Sequence, residues 1–211
     1  MKKFNLFIIC FSISTFIYGQ GLFGNKTKNK VEVVEKEEVK VDEISKKTKG
    51  CDVFDGLFTI YQDKDNGKSY IEIDSSHLNK EFIHFSYIEN GVMDAWAFQG
   101  SYRGSKIIEI NKFYDKIEFT IKNTKYYFDE TNPLSKASNT NINSPIVVSE
   151  KIIATGPDKS RFLISADNIF LSESLQQIKA SYPPTYRGFR LGNLSKKTRY
   201  DKIRNYPENT D

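Results

Sequence analysis

Two histidines, His77 and His84, are the only imidazoles in the chain, and they stand seven residues apart. A catalytic zinc usually takes three protein ligands from His, Glu, Asp or Cys, and an H-E-x-x-H pair sets two histidines one helical turn apart. Neither pattern occurs. His77 falls in the turn-like run Ser75 to Lys80, and His84 alternates with Phe82, Phe85 and Tyr87. They read as an exposed turn residue and a half-buried sheet residue. Nucleophilic catalysis has no better footing, because there is no G-x-S-x-G elbow and any Ser-His-Asp set would need one of these same histidines. Gly100 to Gly104 lacks the Lys-Ser/Thr tail of a phosphate loop and reads as a tight turn. The 27 acidic residues show no spacing that selects a carboxylate pair. The sequence therefore nominates no catalytic residue, no cofactor-binding residue and no metal ligand.

The cysteines and aromatics leave two further readings. Cys10 lies after Ile9 inside an apolar run and lacks the setting of a lipid-attachment cysteine, so Cys51 is the single thiol expected in the mature chain. It reads as a small buried apolar residue; the alternative is pairing with a cysteine elsewhere. With 12 Tyr, 16 Phe and one Trp, aromatic side chains could form a sugar-stacking or peptide-binding platform. In strand-rich sequence they more often fill cores and cross-strand pairs.

The elements that must position these residues follow from hydrophobic patterning. Lys2 and Lys3, an apolar run from Phe4 to Ile17 and the exit Tyr18-Gly19-Gln20 have the layout of a secretory signal, residues 1–19, cleaved after Gly19. The run is shorter than the roughly 20 apolar residues a spanning helix needs, so no stable membrane span is expected. An uncleaved anchor is the alternative. The chain is accordingly expected to be exported: periplasmic, on the cell surface or secreted.

Residues 20–50 read as a flexible charged linker, since positions 25 to 50 hold eight Lys, six Asp plus Glu and no aromatic residue. A short solvated helix near Val31 to Ile44 is the alternative. Net charge is confined to the first 50 residues: residues 51 to 211 carry 21 basic and 21 acidic side chains and are neutral. A nucleic-acid partner needs a concentrated basic face, and none is present.

From Cys51 the pattern changes to short alternating runs. Leu57 to Tyr61 and Lys68 to Ile73 flank Asn66-Gly67, the strongest short hairpin signal. Glu81 to Glu89 follows as a third strand, with Phe82, His84, Ser86 and Ile88 on one face and Ile83, Phe85 and Tyr87 on the other. Further strands are expected at Ile107–Phe113, Lys116–Lys122, Lys125–Phe128, Pro145–Ala154 and Arg161–Ser165, with a helical turn at Pro133–Ala137. Ser172 as N-cap, with Leu171, Leu175 and Ile178 at helical spacing, predicts a helix ending before Pro183-Pro184. The fold class is α+β and β-dominated, with antiparallel hairpin-linked strands and one or two short helices. The expected divisions are a hairpin-rich region 51–104 and a β-rich region 105–211, incomplete at its C-terminus and without a terminating element.

Several stretches carry a resemblance: Gly56 to Ile73 (GLFTIYQDKDNGKSYIEI), Leu78 to Gly91 (LNKEFIHFSYIENG), the run 137–145 leading into SPIVVSEKIIA, Ile164 to Lys179 (ISADNIFLSESLQQIK) and Phe189 to Asp211. Over roughly 51 to 211 the chain resembles the non-catalytic N-terminal region of a family of large exported bacterial zinc-dependent metalloproteases, whose front domains are of unknown function. The resemblance implies an accessory role. It also implies that zinc and the H-E-x-x-H helix belong to a downstream catalytic domain, which would be the partner of this region, so no cofactor is expected within this chain. A free-standing exported β-rich module that binds glycan or peptide is the second reading.

Overall fold

Strand pairing begins at the Asn-Gly signal. In the computed structural model, which describes residues 42–129, 131–137, 142–194 and 197–211, the Asp63 carboxylate accepts hydrogen bonds from Asp65 N–H and Asn66 N–H, and Gly67 turns the chain at φ 70°. This joins β2 (Thr59–Asp63) to β3 (Ser69–Asp74), and β1 (Cys51–Phe54) pairs on the far side of β2. The expected signal 1–19 and linker residues 20–41 lie outside the described residues.

Two antiparallel sheets result, one with five strands in the order β1-β2-β3-β9-β8 and one with four, β4-β5-β6-β7. The second is built from β4 (Lys80–Tyr87), β5 (Tyr102–Phe113), β6 (Lys116–Ile121) and β7 (Ile146–Lys151). The short β8 (Ala154–Thr155) and β9 (Arg161–Ser165) return the chain to the first sheet, where β9 pairs with β3 along Tyr70–Asp74. The only helices among the described residues longer than three residues are α1 (Glu43–Lys47), α2 (Asp167–Phe170) and a 3₁₀ turn at Pro133–Ala137. The fold is thus the β-dominated antiparallel α+β class that the sequence predicts.

Apolar residues from both sheets meet in one core. Ile60, Ile71, Ile73, Phe162 and Ile164 of the first sheet share it with Ile108, Ile110, Ile117, Phe119 and Val148 of the second, sealed by Ile169 and Leu175. The opposite face of the first sheet is covered by α1, whose Ile44 packs with Ala154 and Leu163. Four of the six β3 side chains are buried as a consequence. Position 104/105, the expected division between the two regions, lies within strand β5, and β3 and β9 pair across it.

Three expectations are corrected. The helix expected after Ser172 is displaced: α2 ends at Phe170, and the following residues bend instead. Ser172 Oγ donates to Asn168 O and accepts from Ser174 N–H, while Glu173 Oε1 takes Ile178 N–H and Lys179 N–H. Short polar side chains here satisfy the backbone groups that a helix would have used. Lys125–Phe128 is not a strand, because Asn123 Oδ1 accepts from Lys125 N–H and Tyr126 N–H and turns the backbone away from the sheet. The last residues, where no regular element is expected, form a two-stranded hairpin, β10 (Asn205–Tyr206) with β11 (Asn209–Thr210), closed by the Arg204–Asp211 ion pair at 2.7 Å.

That hairpin docks on the first sheet, where Tyr206 O accepts from Leu57 N–H and Asn205 Nδ2 donates to the carbonyls of Phe54 (2.7 Å) and Phe58. A Cβ at Gly56 would stand 2.2 Å from Asn205 Oδ1, so only glycine permits this approach. Residues 42–50, expected as linker, fold as α1 and its cap, with Asp42 Oδ1 accepting Ile44 N–H as a helix N-cap does.

Candidate functional site

The two histidines are placed in different settings. His77 sits in a 3₁₀ turn, Ser75–His77, where its Nδ1 accepts Asp74 N–H at 3.2 Å and its ring lies edge-on to Phe58 at 4.9 Å. Burial lowers its pKa, with Asp74 opposing. His84 lies on β4 opposite Lys106 of β5, facing inward with Phe82 and Ser86 as the alternation predicts. Burial, then the Lys106 charge, lowers its pKa. The two imidazoles thus have separate partners, and among the described residues no group of three or more His, Cys, Asp or Glu is placed to hold a metal ion. Cys51 opens β1 half-buried as a free thiol; burial, then the nearby Asp63 and Asp52 charges, raises its pKa and suppresses the thiolate. Gly100, at φ 72°, turns the chain, with Ser101 N–H donating to Phe98 O, but the tight turn expected over Gly100 to Gly104 is cut short because β5 already begins at Tyr102.

His84 is the meeting point of three adjoining cavities, of about 550, 440 and 250 Å³, and Phe170 borders all three. β4, as the terminal strand of its sheet, forms one wall of this cleft, and the residues around Tyr200 and Thr210 form the other. Every buried side-chain polar atom without a partner among the described residues belongs to it: His84 Nδ1, Arg103 Nε, Gln176 Oε1 and Tyr200 Oη. Such groups are rare in folded proteins because each costs about 1–3 kcal/mol. The Tyr200 hydroxyl is buried beside Asp167 and Ser69 without a hydrogen bond of normal geometry to either. Burial, then the Asp167 charge, holds its pKa well above the ordinary phenol value.

At the border of the cleft, β4 presents an apolar stripe. Ile83, Phe85 and Tyr87 are 80%, 59% and 52% exposed, and Tyr102 of β5 joins them with its ring 5.3 Å from that of Phe85. The segment after β4 adds Met93, Trp96 and Phe98, all exposed, with Trp96 held at φ 59°. The sequence shows this face as one side of an alternating strand. It does not show that the face stays uncovered, because the bare pattern is the same whether a second layer packs there or not.

A second concavity, about 640 Å³, lies at the C-terminal end of β5, between the β5–β6 turn, the β8–β9 turn and α1. No spacing in the sequence joins Glu43, Tyr114 and Lys159, which line it from three separate elements.

The family model described as a domain of unknown function (DUF5118) matches residues 41–91, the stretch from α1 through β4. No curated protein and no solved structure matches the chain. The matched stretch supplies the strand side of the cleft, including His84 and the Ile83-Phe85-Tyr87 stripe. The residues that close the cleft, Phe170, Gln176 and Tyr200, lie outside it.

Proposed function

We propose that the folded part of this chain is a non-catalytic accessory region of an exported zinc metalloprotease, which docks against its catalytic domain through the free edge of β4. The carrying observation is the coincidence on one strand of an edge unpaired among the described residues, an exposed apolar stripe of period two and a cleft whose polar groups lack partners among those same residues. An unpaired edge offers backbone hydrogen bonds to an incoming strand, and alternating side-chain contacts give such pairing its register. Exposed apolar faces of this kind mark interaction surfaces. Zinc belongs to the catalytic domain in this reading. A tight one-to-one zinc complex of the 211-residue chain, measured by metal analysis after dialysis, would contradict it.

The test begins with the reading frame past Asp211. It is expected to continue into a catalytic domain bearing H-E-x-x-H, and that domain, expressed separately, is expected to co-elute with this chain. Phe85→Ser with Tyr102→Ser should abolish co-elution while far-UV circular dichroism is unchanged. A stop codon after Asp211, or no association in trans, refutes the docking role. Export is part of the same proposal and is tested by fractionation, where the mature chain should begin at Gln20 outside the cytoplasm.

The second reading, a free-standing exported binding module, is favoured by the concavity at the end of β5.

A further inference from the structure

Tyr114 stands where folding alone disfavours it. It is the first residue of a two-residue hairpin tip, since Phe113 pairs directly with Lys116, and its φ is 51°. Glycine or asparagine fills such positions without steric cost, whereas a bulky L-residue is strained there. The ring gains nothing by burial in return, being 80% exposed. Two contacts nevertheless hold it in place: Lys112 Nζ donates to Tyr114 O at 2.7 Å, and Phe113 buttresses the ring edge-on at 4.7 Å. The result is an aromatic face fixed in solvent at the rim of the 640 Å³ concavity.

Across the concavity Lys159 also has a left-handed backbone, φ 60°, and its ammonium makes no ion pair among the described residues. Asp115 and Glu43 bring carboxylates that likewise make no ion pair there, and Ile152 with Phe162 supplies an apolar floor. The volume falls within the roughly 300–1,000 Å³ of small-ligand sites.

The chemistry of this lining selects its ligand. An anion would gain from Lys159 and Lys112 and lose to Asp115 and Glu43, and a cation the reverse; two ammonium groups against two carboxylates favour neither net charge. A neutral polyhydroxyl compound suits both, because each hydroxyl can donate to Asp115 or Glu43 and accept from Lys159. An apolar C–H face on the same compound would stack on Tyr114. We propose that this concavity is a binding site for a neutral oligosaccharide, stacked on Tyr114 and held by Asp115, Glu43 and Lys159. The proposal does not depend on the docking role of β4, which uses the opposite end of β5, so either can fail alone.

The test is calorimetric titration of the 211-residue chain with cellotetraose, xylotetraose, mannotetraose and chitotetraose, alongside tetraglutamate, tetralysine and a neutral Gly-Ser tetrapeptide. At least one tetrasaccharide should bind one-to-one, and the peptides should not. Tyr114→Gly should weaken that binding at least tenfold while leaving the melting temperature unchanged or raised, because glycine relieves the left-handed backbone. Tyr114→Asn should behave in the same way, and Tyr127→Gly, at a residue 91% exposed away from the concavity, should leave binding intact. Binding by none of the four sugars, preferential binding of a peptide, or sugar binding indifferent to both Tyr114 variants would overturn the proposal.

Discussion

Replacing Arg161 with methionine tests how α1 is fastened to the first sheet. The guanidinium bridges two elements, with Nη1 3.3 Å from Glu72 Oε1 on β3 and Nη2 3.2 Å from Asp42 Oδ2 at the cap of α1. The Glu72 side chain is only 10% exposed and has one other partner, the Tyr61 hydroxyl at 2.9 Å. Burial works against the charged form of Arg161, and the Glu72 and Asp42 carboxylates outweigh it, so its pKa is raised. Breaking a fully buried pair costs about 3–5 kcal/mol, and an exposed pair contributes about 0–1 kcal/mol. With Arg161 35% exposed, solvent screening puts the expected loss at about 2 kcal/mol. Methionine preserves most of the packing of the stem. At a urea slope of about 2 kcal/mol/M the midpoint should fall by about 1 M with the slope unchanged. In a Glu72→Gln background the same substitution should cost about half as much, a coupling of about 1 kcal/mol. Asp42 adds a pH signature. A hydrogen bond from Ser45, then one from Arg161, lowers its pKa against burial, so its share of stability is present above pH 3.8 and fades as pH falls through the lower folded value. A midpoint shift under about 0.3 M, or strict additivity in the cycle, would refute the bridge as a fastening.

Three further outcomes follow from the same structure. The family-matched segment 41–91, expressed alone, should give collapsed amide dispersion in NMR, because β3 loses its β9 neighbour and Glu72 loses Arg161; a dispersed spectrum would contradict this. His77 and His84 both have pKa values lowered from 6.5 by burial, so the fold favours their neutral forms. Their contribution is therefore full above pH 6.5 and declines as pH falls below it, and the melting temperature should drop between pH 7 and 5.5 by less in His84→Gln than in wild type. Leu163→Ala, at a β9 side chain with 0% exposure packed under Ile44 of α1, should cost about 3 kcal/mol in urea unfolding, against less than about 0.5 kcal/mol for the 80% exposed Ile83→Ala.

Local chemistry made the strand content legible. Asn66-Gly67 can satisfy a tight hairpin with no help from the rest of the chain, and the alternation through Phe82 to Tyr87 has one period and two faces whatever packs on them. The same local reasoning misplaced the helix near Ser172, because spacing of Leu171, Leu175 and Ile178 does not reveal that Ser172 and Glu173 will take backbone groups for themselves. It also missed β1, a four-residue edge strand with two exposed positions, whose pairing comes from β2 and not from its own pattern.

By itself the sequence determined the β-dominated class, the face that His84 shares with Phe82 and Ser86 and the scarcity of metal-ligating side chains, since each follows from residue type and period along a few neighbouring positions. Only the tertiary structure decided that Arg161 meets Asp42 across 119 positions, that Tyr114, Lys159 and Glu43 share one concavity, and that β4 is the terminal strand of its sheet among the described residues. The physical reason is that such contacts are set by how two sheets close on a common core, and closure depends on the whole set of buried side chains, not on any segment's own propensity.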